Sequence, residues 1–308
     1  MNARYILITA ARNEEAYIAG AIRSVLRQTI LPLAWFIVDD GSTDKTASIV
    51  RRFAKEHAFI HLQSADSRSG RNFGSQYKAI MAGYDLAKSL EFDFVGVHDA
   101  DIVPERDDYY EFILGEFQRN ERLGIAGGFI YERINGAWRC RNGNSEDSVA
   151  GGIQMFRRVC FGQIGGYRPL YHGGSDWLAQ IMAKTAGWNN RAYRELSVLH
   201  HRPSSSAGGR WRGLFRMGQM DASFGSHPVF EVFKCCRRMG GRPFLIGSLV
   251  RLAGYWSWNL AGRKPCIPPE NVAFLRREQM RKVRNRLQVL NHGRPETANQ
   301  LGRVELKG

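Results

Sequence analysis

The sequence predicts an α/β fold, a mainly parallel sheet flanked by helices, with a basic helical extension at the C-terminal end. Short apolar runs at Tyr5–Thr9, Trp35–Val38, Phe59–Leu62 and Phe94–Val97 alternate with helical patterns over the first hundred residues. That order is the mark of right-handed βαβ units, and runs without polar alternation are typical of strands buried on both faces. Two of the runs end in acids, at Val38-Asp39-Asp40-Gly41 and at Val97-His98-Asp99-Ala100-Asp101. Open sheets of this class bind ligands just beyond the carboxyl ends of their strands.

The first strand opens into Ala10-Ala11-Arg12-Asn13-Glu14-Glu15, and a helical pattern follows through Ile18, Ile22, Val25 and Leu26 until Pro32. After the second strand, Ser42 or Thr43 caps a helix carrying Ala47, Val50 and Phe53. A third helix, expected over residues 72–88, leads to the strand at Phe94, and Pro104 stops its continuation. Gly124–Glu132 reads as another strand, residues 133–148 as a polar excursion and residues 157–161 as a short helix. An amphipathic helix starts at Asp176 and carries Leu178, Ile181 and Met182. No internal repeat is evident.

The chain has 308 residues, 44% of them hydrophobic, enough for a sizeable core and without low-complexity sequence. Its five cysteines lack metal-ligand spacing and read as reduced thiols of a cytosolic protein. The first apolar run is too short for a signal peptide, so a cytoplasmic location is expected. Of the net charge of +15, +11 lies beyond Phe230. Such asymmetry points to an anionic partner, nucleic acid or a phospholipid surface.

Several side chains are suited to chemistry. Asp99 and Asp101 are hard oxygen donors for Mg2+ or Mn2+, especially when a phosphate completes the shell; otherwise Asp99 caps a turn and Asp101 is solvated. Asp40 can accept a hydrogen bond from a base N–H or a ribose hydroxyl, and Arg71 can pair with a diphosphate. Gly151, Gly152 and Gly174 let an acceptor sugar approach the backbone, while Tyr171 and Trp177 can stack on its apolar face. Asp176 is a helix cap or a general base. His200 and His201 are surface residues, metal ligands or cations near phosphate.

Taken together, Ala11-Arg12-Asn13-Glu14-Glu15, the acidic run at 38–44 and Asp99-Ala100-Asp101 resemble the family-2 glycosyltransferases of Rossmann-like GT-A fold, over residues 4–205. The resemblance implies donor contacts from Ala10, Arg12, Asn13, Glu15, Asp99 and Ala100, with Asp40 on the nucleotide base. It implies a diphosphate-bound divalent ion on Asp101, a further ligand at His200 or His201, and Asp176 as catalytic base. The family has Glu-Asp where this chain has Ser175-Asp176, so the base is retained without its acidic neighbour.

From these residues two regions are expected, a catalytic domain over 1–205 and a helical, basic region over 206–308. In the latter, Pro243–Ala261 approaches the apolar length of a membrane span but is interrupted by Arg251 and Asn259. With Tyr255, Trp256 and Trp258 at a headgroup level and basic flanks, it reads as a helix lying in an anionic leaflet; an ordinary buried helix is the alternative. The expected function is transfer of a sugar, with inversion, from a nucleoside-diphosphate donor, a UDP-sugar first. The acceptor would be a hydroxyl of a lipid-linked saccharide, in cell-surface polysaccharide synthesis at the inner face of the plasma membrane. The alternatives are a catalytically inactive nucleotide-sugar binder and a basic-tailed nucleic-acid binder; nucleic acid is disfavoured because the tail aromatics do not interleave with the cations.

Overall fold

The computed structural model describes residues 3–65, 73–134, 136–141, 143–170, 172–202, 209–238 and 245–291. The chain divides into two compact units, Met1–Gly213 and Leu214–Gly308.

The first unit is built on β1 (Tyr5–Ala11), β2 (Ala34–Asp39), β3 (Ile60–Ser64) and β4 (Phe94–Val97), all parallel. Between them run α1 (Ile18–Leu26), α2 (Thr46–Glu56) and α3 (Phe73–Ala87). The apolar runs of β1, β2 and β4 are buried throughout, as strands covered on both faces must be. Thr9 is the polar exception in β1. Its hydroxyl donates to the His98 carbonyl and accepts from Trp35 Nε1 at 2.9 Å, so neither β1 nor the neighbouring indole leaves a buried polar atom unpaired.

Beyond β4 the sheet becomes mixed. β5 (Ile102–Pro104), α4 (Tyr109–Arg119), β6 (Leu123–Ile134) and β7 (Ala137–Cys140) are followed by a 3-10 turn at Gly151–Ile153 and by β8 (Met155–Arg157). Then come α5 (Arg158–Gln163), α6 (Ser175–Thr185) and β9 (Asn189–His200). The strand order is β3-β2-β1-β4-β8-β6-β9-β5, with β7 paired to β6. The excursion at 133–148 thus holds a strand, β7, forming a hairpin with β6. Pro104, expected to end regular structure, instead closes β5, where an edge position makes no demand for its missing N–H. This short strand positions the site: β5 runs antiparallel to β9 with Ile102 opposite His200, and β6 runs parallel to β9 with Glu132 opposite the same histidine.

The second unit contains most of α7 (Arg210–Ser223), then α8 (Pro228–Arg238), α9 (Ile246–Leu260) and α10 (Pro269–Asn291). Its interior, which buries Phe224, Ile267 and Leu275, also holds charges. Asp221, Glu231 and Arg251 are 4%, 1% and 7% exposed. Arg251 donates to Asp221 from Nε and Nη2, and Lys234 Nζ reaches Asp221 at 2.9 Å and Glu231 at 2.6 Å. Removing one partner of such a group strands a buried charge, which costs several kcal/mol. Arg251, expected as a break in an apolar helix, is therefore its inward anchor. Tyr255, expected at a headgroup interface, is buried and donates to the Ser226 carbonyl at 2.6 Å, while Trp256 is exposed. No described helix is long and apolar enough to cross a membrane.

His98, at the end of β4, is fully buried, with Nδ1 2.7 Å from the Tyr110 hydroxyl and its ring against Trp35. Burial pushes its pKa down to about 3. The unfolded chain, with an ordinary histidine near 6.5, therefore takes up a proton that the native state refuses. The contribution is fully present above pH 6.5 and shrinks by about 1.4 kcal/mol per unit as pH falls toward 3. Urea unfolding of the wild type and of His98→Gln should show a stability gap that narrows as pH falls through this window. A constant gap would refute the buried neutral imidazole.

Candidate active site

The carboxyl ends of β1, β2 and β4 converge on one set of acids. Asp101 sits one residue before β5, and the β5–β9 register places it beside the histidine pair: His201 N–H donates to the Asp101 carbonyl at 2.9 Å. The two imidazoles then diverge. His200 Nε2 lies 3.5 Å from Asp101 Oδ2 and its Nδ1 3.5 Å from Glu132 Oε1. The His201 ring instead lies against Tyr17 and Trp138. His200 alone of the pair is thus aligned with the Asp101 carboxylate. Burial lowers the His200 pKa, but Asp101, Asp99 and Glu132 more than offset this, and the net direction is upward.

Asp99 and Asp176 are brought together by two glycines. Asp99 N–H donates to the Gly152 carbonyl at 2.8 Å, and its Oδ1 accepts from Gln76 Nε2 at 3.0 Å. A Cβ on Gly152 would stand 2.5 Å from Asp99 Oδ2, and one on Gly151 2.8 Å from Asp176 Oδ2. A side chain at either position would push the acid aside, because each acid rests directly on the backbone of the 3-10 turn. Gly151 and Gly152, expected to admit an acceptor, are the seats of the two carboxylates. Asp176 lies in the first turn of α6, which follows Gly174 at φ +86°, a left-handed conformation that glycine adopts freely. Gln154 and Gln180 both donate to the Val149 carbonyl, and Tyr167 donates to Gln154, so the turn beneath Asp176 is fixed from below. Trp177 is partly buried beside it.

Crowded acids shift one another. Asp99 is pushed up to about 7 by burial and then by Asp101. Asp176 is raised by burial, against the pull of backbone N–H groups. Glu14 is raised to about 7 by burial and by Asp101, despite its ion pair with Arg202. Arg202 also approaches Asp101 Oδ2 at 3.6 Å and stacks over Tyr17, so it bridges two acids. The Arg202–Glu14 pair is not visible in the sequence, where 188 residues separate them.

At the end of β2, Arg12 Nη1 lies 3.6 Å from Asp40 Oδ2. Asp40 lines a cavity of about 320 Å³ with Val38, Gln63, Ser64, Ser75 and Lys78. Asn13 Oδ1 accepts from Thr43 N–H at 2.8 Å, and Glu15 Oε2 from Lys45 N–H at 3.0 Å. They splice the β1 loop to the β2 loop. Ala10 is the penultimate residue of β1, and the Ala100 side chain is buried in the core. Arg71 and Tyr171 lie outside the described residues.

Among the described residues, no group of three or more His, Cys, Asp and Glu side chains forms a metal cage. Asp101 and His200 nevertheless suit a divalent ion whose remaining ligands are phosphate oxygens and water. Two donors about 2.1 Å from one ion stand about 3 Å apart, near the 3.5 Å between Asp101 Oδ2 and His200 Nε2.

Residues 6–172 match the family model described as Glycosyl transferase family 2. The chain belongs to that family. Within it, 4,4'-diaponeurosporenoate glycosyltransferase of Staphylococcus aureus is 29% identical over 119 residues, 39% of this chain and 29% of that protein. The match thus spans under a third of that relative. Among solved structures, the mannosyltransferase PcManGT of Pyrobaculum calidifontis, in complex with GDP-Man and Mn2+, aligns at a TM-score of 0.55 and 16% identity, covering 94% of this chain and 81% of its own. TarS of S. aureus, in complex with UDP-GlcNAc, aligns at 0.51 and 14%, covering 84% and 73%. At these identities the likeness establishes the glycosyltransferase fold, GT-A, for this family-2 chain.

Gly152→Ala tests the seating of Asp99. The added methyl should displace the carboxylate by a fraction of an ångström and lower turnover about a hundredfold, the scale of a misplaced reacting group, with an unchanged far-ultraviolet spectrum. Wild-type turnover in this variant would show that Asp99 does not depend on the turn.

Proposed function

We propose that the protein transfers a sugar from a nucleoside-diphosphate donor, a UDP-sugar first, to a hydroxyl of a lipid-linked saccharide, with inversion, in cell-surface polysaccharide synthesis at the inner face of the plasma membrane. The observation that carries this reading is the pair of acids seated on Gly151 and Gly152 beside the Asp101–His200 pair. It supplies a base, a donor-facing acid and an anchor for the leaving group within one site.

The residues divide the work as follows. Asp40 and the cavity around it would hold the base, with Arg12 orienting the carboxylate. Asp99, steadied by Gln76, would face the ribose or donor sugar. Asp101 and His200 would hold Mg2+ or Mn2+. Such an ion would supply positive charge to the departing diphosphate. Asp176 would accept the proton of the acceptor hydroxyl as its oxygen bonds to the anomeric carbon from the face opposite the leaving group. The anomeric C–O bond breaks as the new one forms, and the nucleoside diphosphate departs with that electron pair. Trp177 would offer an apolar face to the acceptor. The relatives support a nucleotide-sugar donor without choosing its base: one neighbour carries GDP-Man and Mn2+, another UDP-GlcNAc.

Donor hydrolysis by the whole protein across UDP-, GDP- and dTDP-sugars, with Mn2+, Mg2+ or EDTA, tests this reading. One donor should be hydrolysed in a metal-dependent way, and Asp176→Asn should keep donor affinity while losing about a hundredfold or more in turnover. Donor binding with no hydrolysis or transfer under any condition would mark an inactive nucleotide-sugar binder instead.

A base must be ionised to act, and burial raises the Asp176 pKa. The acid limb of turnover should therefore lie above the ordinary carboxylate range near 4, with activity rising as pH increases through it. A pH–rate profile flat down to pH 4 would exclude Asp176 as the base.

A further inference from the structure

The helix α9 is inside out, and α8 is so in part. In α9 the buried positions are Gly247, Ser248, Arg251, Gly254 and Tyr255, small or polar except for the last. The exposed positions include Ile246, Leu249, Ala253, Trp256 and Leu260. At 100° per residue these five fall within an arc of about 80°, opposite the buried face. On α8, Glu231 faces inward, while Val229 and Val232 face solvent. The six large apolar side chains exposed on these two helices, which pack against each other, are between 43% and 84% exposed.

An ordinary surface helix buries its apolar stripe and exposes its charges. The reverse arrangement is that of helices whose outer solvent is lipid: small residues let backbones meet, and charges turn inward and pair. Both features are present. A Cβ on Gly254 would stand 2.0 Å from the Phe215 carbonyl oxygen and one on Gly218 2.0 Å from that of Arg251, so α7 and α9 touch backbone to backbone. Arg251 meanwhile pairs with Asp221 in the interior.

We infer that the face formed by Val229, Val232, Ile246, Leu249, Trp256 and Leu260 docks on an anionic lipid bilayer. The helix of 15 residues is about 22 Å long, short of the roughly 30 Å of a hydrocarbon core, so it lies in the interface rather than crossing it. Charge selects lipid over a second copy of the chain. Arg237, Arg263 and Lys264 are exposed near the ends of the two helices, and residues beyond Phe230 carry a net +11, which a second copy would duplicate and an anionic leaflet would neutralise. The inference stands on the helical unit and rests on the proposed function only for the sense of bringing a transferase to a lipid-linked acceptor.

Flotation of the full chain with phosphatidylcholine vesicles, with and without phosphatidylglycerol, tests it, with donor hydrolysis measured in parallel in vesicle-free solution. The wild type should float with the anionic vesicles, and more weakly as salt rises. Leu249→Glu/Trp256→Glu, altering only exposed positions, should weaken binding about a hundredfold while hydrolysis persists. Arg263→Glu/Lys264→Glu should lose the preference for phosphatidylglycerol. The inference fails if the wild type floats with neither vesicle, or if the apolar double variant floats as the wild type does. It fails equally if a wild-type dimer that binds no vesicle becomes monomeric in that variant. Absent hydrolysis beside intact flotation would count against the proposed function alone.

Discussion

The site depends on holding several carboxylates close together at the ends of buried strands. Glu14, Asp99 and Asp101 act on one another, and Asp176 adds to the load on Asp99. Burial and mutual repulsion place Asp99 and Glu14 near 7, so the acids resist full ionisation together. Three features make the arrangement tolerable. Arg202 bridges Glu14 and Asp101, His200 stands against Asp101, and Gln76 donates to Asp99. The remaining negative charge favours a cation, and a metal–diphosphate is a ligand that brings one.

The fold serves this constraint. β1, β2 and β4 lie side by side in the parallel part of the sheet, so the loops after them open on one edge. The loops after β1 and β2 are then cross-linked by Asn13, Glu15, Ser42 and Asp44, which fixes the wall carrying Arg12 and Asp40. On the other side, the pairing of β9 with β6 and with the short edge strand β5 brings His200 rather than His201 to Asp101. A one-residue slip would exchange the two histidines.

The parallel half of the sheet was legible because buried strands are continuous apolar runs, and the acids because they end such runs. Contacts that depend on register were not. β5 has three residues and ends in proline, too little for any periodic signal. β7 sits in a polar hairpin without apolar alternation. Arg202 and Glu14 meet only through the completed sheet. Gly151 and Gly152 were visible as glycines, but their use, seating two acids, appears only with Asp99 and Asp176 in place. In α9 the apolar run and its interruption at Arg251 were readable, whereas the inward turn of Arg251 required its partner on α7.

The central claim is that Asp101 and His200 bind the nucleoside diphosphate through a divalent ion. Calorimetric titration of the full chain with UDP and with GDP, in Mn2+ or in EDTA, tests it most directly. One nucleotide should bind only with Mn2+, with binding lost in Asp101→Ala, weakened about tenfold or more in His200→Ala and unchanged in His201→Ala. Equal binding in EDTA, or a loss in His201→Ala matching that in His200→Ala, would contradict the account.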